Sequence, residues 1–166
     1  MEQETEPRWL TPEQRQAWIA LSVTTVALPS ALDAQLERDA GISHVEYQVL
    51  SWLSMRPDRT ARMSQVARLA NMRAPHLSRV AARLEARGWL TRRTDPTDHR
   101  ATLASLTDAG WQKVVEAAPG HAAEVQRLVF DNLTPEQVTQ LLDICTRIVG
   151  AARPDMRIPD GSGPPE

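Results

Sequence analysis

The spacing of the apolar residues changes at Gly88. Before it, from Pro75 to Arg87, Leu77, Val80, Ala81 and Leu84 recur at helical intervals. After it, residues 89–106 read as a strand (WLTRR), a turn (TDPTD) and a second strand (RATLASL), a hairpin by composition. Another short helical pattern, SQVARLA at 64–70, lies upstream, and the link NMRA between the two helices is short enough to force a tight corner. Helix, corner, helix and hairpin in direct succession specify a winged helix-turn-helix lobe, so the expected fold is mainly α with a small β wing.

Longer helices flank this lobe. The segment LTPEQ occurs at 10–14 and again at 133–137. Each copy offers Thr as N-cap, Pro at the first helical position and Gln three residues past the cap to close a capping box. The expected organisation is a flexible N-terminus (1–9), an N-terminal dimerisation helix (10–41) and a DNA-binding lobe (42–106). C-terminal dimerisation helices (107–152) and a disordered Pro/Gly-rich tail (153–166) follow. Within the lobe the recognition helix spans about 75–87 and the wing about 89–106. Pro29 predicts a kink or break at Leu28–Pro29, and Pro119–Gly120 predicts an interruption of the helix capped by Thr107. The apolar residues of both terminal segments exceed what one small lobe covers, which points to an oligomer.

Charge is unevenly placed. The chain has a formal net charge of −2, yet residues 59–100 hold ten arginines against three acids, a surplus of seven positive charges. The remainder holds nine basic and eighteen acidic residues. Such a segment suits a polyanion-binding face, and arginine suits bidentate contacts to phosphate or guanine. On the predicted recognition helix, Pro75, Ser78, Arg79, Ala82, Arg83 and Ala86 lie opposite the apolar stripe, with His76 on the flank. Small residues beside arginines let a helix approach base edges, and Arg73 is placed to reach a phosphate. In the hairpin, Arg92, Arg93 and Arg100 are candidates for phosphates or a minor groove. Asp95, ahead of Pro96, favours the turn, and Asp98 is the expected partner of Arg100 or of a recognition-helix arginine.

DPTDHR followed by LTDAG, after HLSRVAARLEARGWLTRR, resembles the wing signature of the MarR family of regulators (D-P-x-D-x-R, then L-T-x-x-G). SHVEYQVLSWL resembles that family's second helix, and the resemblance runs from about residue 10 to 152. It implies a cytoplasmic homodimer with interlocked terminal helices that binds double-stranded DNA at a pseudo-palindromic operator, usually as a repressor released by a small ligand. It places Pro75, His76, Ser78 and Arg79 toward the major groove, and Arg100 in the wing with Asp98 as its pairing partner. One departure is Arg73–Ala74–Pro75, where family members often have Ser or Thr around the start of the recognition helix, so the usual side-chain cap is missing. The resemblance also implies a pocket for a small aromatic or amphipathic effector where the first, second and fifth helices meet, with Trp18, His44, Tyr47 and Trp111 as candidate lining.

Other function classes fare poorly. No Gly-rich phosphate loop, nucleophile elbow or metal-ligand spacing occurs, so no catalytic residue, metal or cofactor is assigned and an enzyme is not expected. The lone Cys145 excludes an internal disulfide framework and fits a buried structural thiol. No signal peptide is read at the N-terminus, and no apolar run is read as reaching the roughly 18 residues of a bilayer span. The competing reading is a winged-helix adaptor that binds an acidic protein and does not read DNA sequence.

Overall fold

The computed structural model describes residues 7–156 and 158; the ends of the expected flexible N-terminus and disordered tail lie outside these. Six α-helices and three strands follow in order: α1 (Pro12–Ala40), α2 (His44–Ser54), β1 (Thr60–Arg62), α3 (Met63–Leu69), α4 (Ala74–Ala86), β2 (Leu90–Asp95), β3 (Asp98–Leu106), α5 (Asp108–Leu128) and α6 (Pro135–Ala152). A short 3₁₀ turn, Phe130–Asn132, links α5 to α6.

Local chemistry sets most boundaries. Thr11 and Thr134 each close a capping box with the Gln three residues on, and Ser43 does so with Glu46. Gly41 and Gly88, with φ of 64° and 73°, supply the left-handed residues that follow α1 and α4. The helix α4 has Arg73 as its N-cap, with no side-chain cap bond.

The core of the lobe lies between α2, α3, α4 and the sheet, centred on Val49, Leu50, Leu53, Val66, Leu77, Val80, Leu84 and Leu90. A smaller cluster of Leu36, Ile42, Tyr47 and Ala117 joins α1 and α5 to α2. These two clusters seat the lobe on the long helices.

Four expectations need correction. Neither proline ends its helix: α1 and α5 run through Pro29 and Pro119, so of the kink or break expected at Leu28–Pro29 the break does not occur, nor does the interruption expected at Pro119–Gly120. Each proline removes only one amide donor, and the carbonyls left without it belong to exposed Thr25 and Val115, open to water. Buried Leu32, Gln35 and Leu36 beyond Pro29, and Ala117 beside Pro119, hold the packed parts of both helices in place. The wing is not a lone hairpin, because β1 pairs with β3 to give a three-stranded antiparallel sheet in the order β1-β3-β2. Residues 16–32 of α1 carry no charge, and α1 is long and apolar enough to cross a membrane by length and composition, an 18-residue window of it having a mean hydropathy of 1.4. Interspersed Ser and Thr hide this run in the sequence. Finally, Cys145 is half-buried on α6, not enclosed.

Candidate nucleic-acid interface

The structure sorts the ten arginines of residues 59–100 into two groups of five. Arg59, Arg62, Arg83, Arg87 and Arg92 are held by carboxylates. Arg68, Arg73, Arg79, Arg93 and Arg100 are exposed and have no ion pair among the described residues.

On α4, Leu77, Val80, Ala81 and Leu84 are buried. Pro75, His76, Ser78, Arg79, Ala82, Arg83 and Ala86 are exposed. Arg83 shares that face but is committed elsewhere: its Nε donates to Glu46 Oε1 at 3.0 Å. Glu46 is only 4% exposed, and Arg87 lies 3.7 Å from its other oxygen. Burial pushes the Glu46 carboxyl up, but the hydrogen bond from Arg83, the Ser43 amide and the charges of Arg87 and Arg83 outweigh it and hold the group below its ordinary value. Arg83 therefore ties α4 to α2 while its side chain stays 53% exposed, and Arg79 is the arginine of this face with no carboxylate partner among the described residues. A cavity of about 430 Å³ opens beside this junction, lined by Glu37, Gly41, Ile42, Ser43, Glu46, Arg83 and Arg87.

The wing separates its arginines in the same way. Arg92 is bound to Glu85 of α4 through its backbone N–H (2.9 Å), Nε (3.0 Å) and a terminal nitrogen (2.7 Å), so it fastens β2 to the recognition helix. Asp98 does not pair with the Arg100 guanidinium. It faces Arg62 at 3.6 Å and accepts only the backbone N–H of Arg100 at 3.2 Å. Asp95 is 5% exposed and takes the Arg62 Nε at 2.8 Å and the Thr97 N–H and hydroxyl at 2.9 and 2.7 Å. The Thr97 hydroxyl and amide, with Arg62, hold the Asp95 carboxyl below its ordinary value. Pro96 and Thr97 form the tip. Thr94 pairs with Thr102 and Asp95 with Asp98, so residues 99–101 of β3 bulge without opposite numbers. A bulge bends and twists its strand, and Arg100 sits within this one. Arg62, on a strand too short to recognise from sequence, is a support residue that the sequence does not reveal.

The predicted effector residues do not gather as one group. Trp18 is 60% exposed on α1. Trp111 packs on the lobe core with the Arg59 guanidinium 4.2 Å above its ring. His44 and Tyr47 do come together, and His121 of α5 joins them with ring centroids 5.9 and 4.6 Å away. The Nδ1 of His121 and the Oε1 of buried Gln35 have no hydrogen-bond partner among the described residues. Both imidazoles lie below the ordinary histidine value of 6.5, His44 by burial against the pull of Asp33, His121 by burial and by His44. Neutral histidines of this kind contribute stability that is present at and above that value. It is lost as pH falls through it toward the lower native values, because the unfolded chain takes up protons first. The thermal midpoint should therefore drop between about pH 7 and pH 5, and His121→Gln should flatten that slope. Identical slopes in both proteins would exclude the pair as the cause. Among the described residues, no three His, Cys, Asp or Glu side chains gather to hold a metal ion.

Comparisons with known proteins bear on the family and the fold. The MarR family model matches residues 40–101, from the end of α1 into the wing. The chain is similar to Sco3205 of Streptomyces coelicolor, a MarR family transcriptional regulator solved in complex with DNA: identity is 41%, coverage 90% of this chain and 94% of that one, and the TM-score 0.85. AbsC, another MarR family regulator of Streptomyces coelicolor, superposes with a TM-score of 0.83 at 29% identity over 90% of this chain and 100% of that one. The HTH-type transcriptional regulator YkoM of Bacillus subtilis is 30% identical over 63% of this chain and 66% of its own length. With a fold and sequence shared over nearly its whole length with Sco3205, the chain belongs to the MarR family of winged helix-turn-helix transcriptional regulators.

Proposed function

We propose that the chain is a cytoplasmic, sequence-specific DNA-binding repressor that occupies a pseudo-palindromic operator as a homodimer and is released by a small aromatic or amphipathic effector. The observation that carries the reading is the division of the arginines. Carboxylates neutralise the five that brace the lobe, while Arg79 on α4, Arg73 at its start, and Arg93 and Arg100 in the wing keep their charge facing outward. In this reading Pro75, His76, Ser78 and Arg79 meet base edges in the major groove. Arg73, Arg93 and Arg100 take phosphates or the minor groove, with Asp95, Pro96 and Asp98 fixing the tip.

The homodimer rests on apolar surface that one chain leaves open: Trp18, Ile19, Val23 and Val26 on α1, and Leu142, Ile144 and Ile148 on α6 are all exposed. On α1 these residues recur at helical spacing, and an open apolar stripe of this kind marks an interface. A second copy covering α1 and α6 also accounts for the uncharged run of α1 without a membrane. The effector reading is supported by the unpartnered polar atoms of Gln35 and His121 at the meeting of α1, α2 and α5.

The test is binding to labelled duplex DNA across a salt series, with the oligomer measured by sedimentation. Ten outward arginines per dimer set an upper limit of about −9 on the slope of log affinity against log salt. A dimer with a steep negative slope is expected; a monomer, or affinity indifferent to salt, would overturn the reading.

A further inference from the structure

The end of α6 makes a side-chain hydrogen bond to the lobe. Arg153, the residue that caps α6, donates from a terminal nitrogen to Asn71 Oδ1 at 3.0 Å, across 82 residues of chain. Asn71 is the left-handed residue (φ 50°) in the corner between α3 and α4, two positions before Arg73 starts the recognition helix. Arg153 is itself fixed: its amide donates to Val149 O at 2.7 Å, its carbonyl accepts from Met156 at 2.9 Å, and Asp155 lies 3.6 Å from its Nε. Its side chain is only 35% exposed.

No side chain of α6 is fully buried within its own chain, and Val138, Cys145 and Val149 are half-buried, so packing alone fixes the place of its end only loosely. The opposite end of α4 is held in a parallel manner, because Arg87 donates to the carbonyl of Gly41, the cap of α1, at 3.1 Å. The recognition helix is thus gripped at its first corner by α6 and at its last turn by α1, the two helices whose apolar faces stand open.

We propose that Arg153 is a positioning residue for operator binding: by holding Asn71 it transmits the geometry of the dimerised α6 to the helix-turn-helix corner and so fixes the angle and spacing of the two recognition helices. This rests on the dimer and operator reading above. One partly exposed hydrogen bond adds little to global stability, but at the corner of a recognition helix it restricts the rotation that decides whether both half-sites are met together.

The experiment uses the full chain and the operator that it selects from random duplexes, with one base pair added or removed between the half-sites. The wild type should lose affinity steeply on either change. Arg153→Ala should bind the unaltered operator roughly 3- to 10-fold more weakly, the worth of one hydrogen bond, and should discriminate less between the three spacings. Its dimerisation and thermal midpoint should stay those of the wild type. Asn71→Gly, which keeps the left-handed backbone and removes the acceptor, should reproduce the effect, and the double variant should be no worse than either single one. Asn71→Asp, which keeps an acceptor for the guanidinium, should restore spacing discrimination relative to Asn71→Gly. If the wild type selects an operator and prefers one spacing while Arg153→Ala keeps the same preference, the proposal falls and the operator reading stands. If the wild type selects no operator, both fall.

Discussion

Replacing Arg79 with alanine is expected to weaken binding to the selected operator by about 10- to 100-fold for each half-site, the roughly 1–3 kcal/mol that a bidentate arginine–guanine pair contributes. Arg79 is exposed on α4 between residues that cannot obstruct it, Pro75, Ser78, Ala82 and Ala86, and no carboxylate holds it among the described residues. Affinity for unrelated duplex should change far less, because removing a bond to a base edge leaves the bonds to phosphate in place. Arg83→Ala, one turn on, should behave differently. It strips the closest partner from buried Glu46, so it should lower the thermal midpoint, and any loss of DNA affinity should follow from a displaced helix. Arg79→Ala with undiminished operator affinity would remove α4 as the reading element.

Gly110→Ala is expected to destabilise the chain by more than about 3 kcal/mol, the upper part of the usual overpacking range. The last residue of β3, Leu106, the cap residue Thr107 and the first turn of α5 explain the L-T-x-x-G pattern. Leu106 is buried, and the Thr107 amide donates to Trp89 O at 3.1 Å. The Thr107 hydroxyl donates to Gly88 O at 2.7 Å and accepts the Gly110 amide at 3.0 Å. These bonds pull α5 so close to the strand that a Cβ on Gly110 would overlap the Trp89 carbonyl oxygen and lie 2.7 Å from Leu106 Cδ1. The obstruction is backbone, so no rotamer change relieves it. Chemical denaturation should show a lower midpoint and weaker operator binding; a wild-type midpoint would mean that α5 can move off the wing at little cost.

The parts of this molecule governed by neighbours in sequence are legible in the sequence itself. Thr11, Ser43, Thr107 and Thr134 cap their helices through residues three positions away, and the change of apolar period at Gly88 marks where helix gives way to wing. Distant partners are not legible. Arg62 meets Asp95 from 33 residues away and Arg83 meets Glu46 from 37; a guanidinium finds its carboxylate only after packing has set both backbones. Nothing in the sequence distinguishes Arg92, spent on Glu85, from Arg93 beside it, because alternate strand residues point to opposite faces and only one face meets α4. The prolines mislead for a related reason: local propensity counts the lost hydrogen bond, whereas the helices count the packing of Leu32, Leu36 and Ala117 as well.

The central claim is that the outward arginines read DNA sequence through a two-fold arrangement of α4 and the wing. Selection of bound duplexes from a random library tests it most directly. The expected product is an enriched inverted repeat with half-site centres about one helical turn apart, roughly 34–36 Å, bound far more tightly than the unselected pool. Recovery of duplexes with no common sequence would contradict the claim and favour a winged-helix module whose basic face serves another acidic partner.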